Sequence, residues 1–145
     1  MGRVIHATPV VPAPAAGLAL VAHEPLSFWG GYDYHTGEII DRRHPLSGQI
    51  AAGRVLALPF TRGSSTTAAV LLEAVRAGTA PAALLTTGVD TFFALASIVA
   101  DVMYSLPIPV FALHPADFAS LRTGDHLRIT PAGEIEITTA TSAGA

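Results

Sequence analysis

Three short apolar runs, Val55–Leu58, Ala82–Thr86 and Pro109–Leu113, are separated by two segments in which apolar residues recur at helical spacing. No other feature constrains the fold as strongly. Runs without polar alternation are strands buried on both faces, as in parallel sheets. In the first helical segment Ala68, Leu71, Leu72 and Val75 fall on one face, Ser64 or Ser65 is the N-cap, and Gly78 follows Ala77 as the stop. In the second, Asp90 or Thr91 is the cap, Phe92, Leu95, Ala96, Val99 and Met103 form the expected buried face, and Pro107 ends it. Strand, helix, strand, helix, strand implies a parallel sheet with right-handed crossovers.

Extra β structure flanks this βαβαβ core. Val4–Ala7 and Leu18–Ala22 read as strands, and the Pro/Ala-rich stretch from Val10 to Gly17 as a turn or loop. Residues 23–49 read as one long polar loop with a turn at Thr36-Gly37, and a loop of that length is usually functional. Leu127–Thr130 and Glu134–Thr138 alternate with period two around Pro131-Ala132-Gly133, which predicts a C-terminal β-hairpin. Residues 1–145 thus form one layered α/β domain, with residues 139–145 expected to be a frayed tail.

Half of the residues are hydrophobic and 13% are charged, so much of the chain is buried or covered by a partner. Eight basic residues stand against eleven acidic ones without a basic cluster, which argues against nucleic acid. With no cysteine, disulfides and thiolate metal sites are excluded within the chain. The start, Met1-Gly2-Arg3-Val4, carries no signal-peptide pattern, and the apolar stretches are interrupted well short of a membrane span. A cytoplasmic protein with no membrane contact is expected.

The chemistry-bearing residues concentrate in one stretch. It contains Pro25-Leu26-Ser27-Phe28-Trp29-Gly30-Gly31-Tyr32-Asp33, Ile39-Ile40-Asp41, His44-Pro45-Leu46, and finally Arg62-Gly63-Ser64-Ser65. These segments, with Leu72-Glu73 and Gly78-Thr79-Ala80-Pro81-Ala82, resemble the small subunit, or swivelling domain, of the aconitase X family over roughly residues 3 to 112. The resemblance implies a swivelling β/β/α fold like the aconitase C-terminal domain. It implies a hydro-lyase whose larger partner subunit carries an iron centre, an iron-sulfur cluster or iron, as Lewis acid, with no cofactor on this chain. Family substrates are cis-3-hydroxy-L-proline and mevalonate 5-phosphate. The Ala-rich, Lys-poor composition leans towards the hydroxyproline enzyme. The residue that the resemblance makes the catalytic base is Ser64.

Each candidate also has a plainer role. Ser64 and Ser65 are preferred helix caps. Arg62 is either a solvated turn residue or a cation that clamps a substrate carboxylate. Gly63, Ser65 and Ser27 are expected at the substrate, and Gly30-Gly31 permits a tight turn or close approach of a partner. Phe28 and Trp29 line the cleft or pack the loop on the core. Asp33, Asp41, His35 and His44 are metal-ligand types, but their spacing matches no compact metal motif, so cleft or subunit contacts are preferred. Glu73 is expected to pair with Arg76. The competing function is a non-catalytic mobile or regulatory domain, since fold alone does not assign chemistry.

Overall fold

The computed structural model describes residues 2–61 and 66–139. The elements in chain order are β1 (Gly2–His6), β2 (Thr8–Val11), β3 (Ala15–Val21), β4 (Tyr32–Asp33), β5 (Glu38–Ile39), β6 (Val55–Ala57), α1 (Thr66–Ala77), β7 (Ala83–Thr86), α2 (Thr91–Tyr104), β8 (Val110–Ala112), α3 (Pro115–Ala119), β9 (His126–Ile129) and β10 (Glu134–Thr138). The sheet order is β1-β10-β9-β3-β6-β7-β8-β2. β3, β6, β7 and β8 run parallel, and β1, β10 and β9 continue the sheet antiparallel beside β3. The expected parallel βαβαβ core and C-terminal hairpin are both present.

Alternation along the parallel strands splits the core in two. Leu20, Leu56, Leu84 and Val110 face a cluster with Leu71, Ala74, Phe93 and Ala100 of the helices. Ala19, Val55, Ala57, Leu85 and Phe111 face the other way, onto Ile5, Leu127, Ile129, Ile135 and Ile137 of the antiparallel strands and Phe118 of α3. Helices, parallel sheet and antiparallel sheet therefore stack as α, β and β layers. Each fully buried Leu or Phe contributes on the order of 1.5–3 kcal/mol, which makes the sheet the stable base for its loops.

The structure departs from the sequence pattern at four places. The Pro/Ala-rich stretch is mostly strand: β2 pairs antiparallel with β8 through a bulge between Pro9 and Val11, and β3 starts at Ala15. Proline is tolerated there because β2 is an edge strand. Residues 23–49 include the two-stranded β4–β5 ladder, with Tyr32 opposite Ile39. A short helix, α3, follows β8; Nδ1 of His114 accepts from Ala116 N–H as its cap.

The fourth difference is the phase of α2. Phe93, Ala96, Ser97 and Ala100 are buried, while Leu95, Ile98, Val102 and Met103 are exposed. Asp101 is the one charged residue in this helix, so hydrophobicity does not fix which side turns inward. Small side chains decide it. Ala96, Ser97 and Ala100 admit close approach, and buried Ser97 donates its hydroxyl to Ile108 O at 2.5 Å. The helix ends at Ser105, whose backbone is left-handed at φ 55°, two residues before the expected stop at Pro107.

Candidate active site at the carboxyl edge of the parallel strands

The parallel strands deliver three segments to one edge of the sheet. β3 leads into His23–Gly31, β6 into Leu58–Thr61, and β7 into Thr87–Asp90. Ligands of open α/β sheets bind at this edge. The backbone stitches the segments together: Leu58 N–H donates to Leu85 O at 3.0 Å, and Thr87 N–H to Pro59 O at 3.2 Å. Leu26 forms a parallel bridge with Thr61. Arg62, Gly63, Ser64 and Ser65 follow Thr61 in the chain and lie outside the described residues, as does the tail beyond Thr139.

Ser27 sits beside this junction, half-buried, its hydroxyl donating to Trp29 O at 3.3 Å. Phe28 is no cleft liner. It is fully buried, stacked on Tyr32 at 5.2 Å between ring centroids and edge-on to Phe93 at 5.5 Å. Trp29, its neighbour, is 72% exposed. Gly30 turns the chain at φ 76°, and a Cβ on Gly31 would collide with the carbonyl oxygen of Ser27. These two glycines let the loop double back while Phe28 anchors it and Trp29 projects from it.

The other loop candidates are held by contacts of their own. Asp33 caps a local turn, its Oδ1 accepting from His35 N–H at 2.8 Å. It lies towards the far end of α1, where Tyr32 donates its hydroxyl to Thr79 O at 2.7 Å and Thr79 donates to Tyr34 O at 2.6 Å. Burial pushes the Tyr32 phenol well above its ordinary pKa, because the ion would have no solvent. His44 is buried, and both ring nitrogens are engaged. Nδ1 accepts from Leu46 N–H at 3.1 Å, which leaves the proton on Nε2 to donate to Glu24 O at 3.2 Å. His44 thus closes the loop on itself through both ring nitrogens. Asp41 holds its own turn through Arg43 N–H at 3.0 Å. The Glu73–Arg76 pair forms at 3.6 Å between exposed side chains and adds little stability.

Two features of this edge were not anticipated. Phe60 and Val89 are 52% and 66% exposed, so with Trp29 three apolar side chains stand on the segments that leave β3, β6 and β7. Asp90 was expected only as a helix cap, yet it also binds Thr61: Oδ2 accepts from Thr61 N–H at 2.7 Å and from the Thr61 hydroxyl at 2.9 Å. Among the described residues, no group of three or more His, Asp or Glu side chains could hold a metal ion, and the chain has no cysteine. An iron centre therefore does not fit on the residues described.

Loops gathered at the carboxyl edge of a parallel sheet, with helices on one face and antiparallel strands on the other, define a swivelling β/β/α domain. The chain belongs to the aconitase X swivel-domain family, whose profile it matches over residues 4–137. It is 45% identical to cis-3-hydroxy-L-proline dehydratase of Pseudomonas aeruginosa over 74% of this chain and 20% of that one. It is 35% identical to the phosphomevalonate dehydratase small subunit of Methanopyrus kandleri, over 92% of this chain and 96% of that one. The chain thus spans about a fifth of the hydroxyproline enzyme and nearly all of the small subunit. Among solved structures, the crystal structure of Thermococcus kodakaraensis aconitase X in its holo-form matches with a TM-score of 0.83 at 29% identity, covering 94% of this chain and 99% of that one.

Proposed function

We propose that this chain is the small, swivelling subunit of a hydro-lyase in which Ser64 takes the proton α to the carboxylate of a hydroxy acid. The observation that supports the reading is the position of Thr61 at the carboxyl edge, because the Arg62–Ser65 segment comes next in the sequence. Thr61 is held there between Leu26 and Asp90, and the segment precedes α1. Helix N-terminal amides favour an anionic oxygen, and Arg62 supplies a cation for the alkoxide or for the substrate carboxylate. In the reaction the C–H bond next to the carboxylate breaks and its electron pair forms the double bond. The hydroxyl on the adjacent carbon leaves. The proton taken by the serine and the departing hydroxide together account for the water released.

In this reading Gly63, Ser65 and Ser27 are the residues that bind the substrate. Trp29, with Gly30 and Gly31 shaping its turn, presents an apolar surface for a larger subunit, which carries the iron. Closure of the domain over the cleft excludes water during the elimination. The 45% identity with the Pseudomonas hydroxyproline enzyme and a chain without lysine support cis-3-hydroxy-L-proline as substrate. The near-complete overlap with the Methanopyrus small subunit favours mevalonate 5-phosphate as the second reading.

The test is reconstitution. The chain is co-expressed with a larger, cysteine-containing aconitase-like subunit, purified as a complex and assayed on both substrates. Turnover of hydroxyproline supports the first reading, and turnover of the phosphate ester alone selects the second. A stable complex inactive on both leaves the domain a non-catalytic mobile element.

A further inference from the structure

We propose that Asp90 is a positioning residue for the reaction: its carboxylate joins the segment after β6 to the start of α2 and so fixes the backbone from which residues 62–65 depart. Asp90 is buried, 8% exposed, and both of its oxygens are used. Oδ1 accepts from Phe92 N–H at 3.0 Å and from Phe93 N–H at 3.2 Å. That alone caps the helix. Oδ2 does something a cap does not need, taking both the amide and the hydroxyl of Thr61 across 29 positions of sequence.

The same helix end also holds the Ser27 loop. Phe93, three residues after Asp90, is the ring against which Phe28 packs, and Thr61 is bridged to Leu26. Residues 26–28, 61 and 90–93 therefore meet at one joint, and Asp90 is the charged group within it. Four donors and the positive end of α2 satisfy that charge, so the carboxylate can stand close to a reacting anion without repelling it strongly. A group that holds geometry in this way acts on rate, because an ångström of misplacement at a base can cost about a hundredfold. The effect on rate rests on the reading of Ser64 as base; the joint itself does not.

Asp90→Asn separates the two roles. Asparagine caps helices as well as aspartate, through its single oxygen, but its amide nitrogen cannot accept from Thr61. In the complex with the larger subunit, kcat should fall about ten- to hundredfold with KM within about twofold. Hydrogen exchange at the Thr61 amide should speed up while Leu127, on the far layer, keeps its protection. Thr61→Ser should retain activity. Thr61→Val removes the hydroxyl bond and keeps the amide donor, so it should lower kcat less than Asp90→Asn does and add little in the Asp90→Asn background, where the Oδ2 acceptor is already gone.

Parent-like kcat and unchanged exchange at Thr61 in Asp90→Asn would reduce Asp90 to a cap and overturn the proposal. So would a loss of protection spread evenly over the domain. Parent-like kcat in Asp90→Asn while Ser64→Ala loses turnover would also overturn the proposal and leave the Ser64 reading standing; if both variants keep full turnover, the proposal and the Ser64 reading fail together.

Discussion

Phe28 meets Phe93 edge-on at 5.5 Å, the first in the loop after β3, the second in the opening turn of α2. Both are fully buried, so the loop is pinned to the helix by its own aromatic side chain. The adjacent Trp29 is left free on the surface. Phe28→Ala should therefore destabilise the domain by about 3–5 kcal/mol, the range for a buried Phe cut back to Ala. Trp29→Ala should stay within about 0.5 kcal/mol in the isolated chain. Chemical denaturation of the two variants checks this; equal losses would mean that Trp29 also anchors the loop.

Exposure of Trp29 also bears on assembly. A large exposed aromatic side chain on a well-anchored loop is suited to an interface. Trp29→Asp should abolish capture of the larger subunit in a pull-down while thermal unfolding of the isolated chain is unchanged. Undiminished capture would place the contact elsewhere. A second apolar surface, Leu95, Ile98 and Val102 at spacings of three and four on α2, is 47%, 54% and 80% exposed. Replacing Ile98 and Val102 with Glu should lower light scattering of the isolated chain at high concentration without loss of helix signal.

Tyr32 makes the domain sensitive to alkali. Its phenol is buried against α1 and donates to Thr79 O, and burial raises its pKa above the ordinary 10.0. In the unfolded chain the phenol ionises near pH 10, whereas the folded state keeps the proton. Stability is therefore fully present below about pH 10 and falls as pH rises beyond it. Tyr32→Phe should cost about 1 kcal/mol at neutral pH, the net value of the lost hydrogen bond. It should also flatten the alkaline decline. Parallel pH–stability curves for the two proteins above pH 10 would show that Tyr32 is not the group responsible.

How much of this was readable beforehand follows from what each signal depends on. β6, α1 and β7 were legible because their apolar residues are either continuous or strictly periodic, and Ala68, Leu71 and Val75 do lie buried as spaced. The face of α2 was not, because a helix apolar on most sides leaves its phase to packing, and packing chose Ala96, Ser97 and Ala100. β2 was hidden by Pro9, whose missing N–H matters only if a strand is central. At the site, Gly30, Gly31 and the aromatic pair were visible as residue types, but which ring turned inward was a tertiary matter. The bond from Asp90 to Thr61 had no local trace, since the capping role explained Asp90 completely.

The most decisive variant is Ser64→Ala, compared with Ser65→Ala in the reconstituted complex. One of these serines is expected to cap α1, whose first helical residue is Thr66. A lost cap costs about 1 kcal/mol of stability and leaves chemistry alone. A positioned acid–base group contributes on the order of 10²–10⁴ in rate. The two roles therefore separate by magnitude and by observable. Ser64→Ala should keep assembly and KM but lose kcat by at least about a hundredfold. Ser65→Ala should lower the unfolding temperature by a few degrees, about what a cap is worth in a domain of this size, and retain most of its turnover. Inversion of that pattern moves the base by one residue. If both variants retain kcat, the proton acceptor lies on the larger subunit, and this domain contributes only the geometry at Thr61 and closure of the cleft.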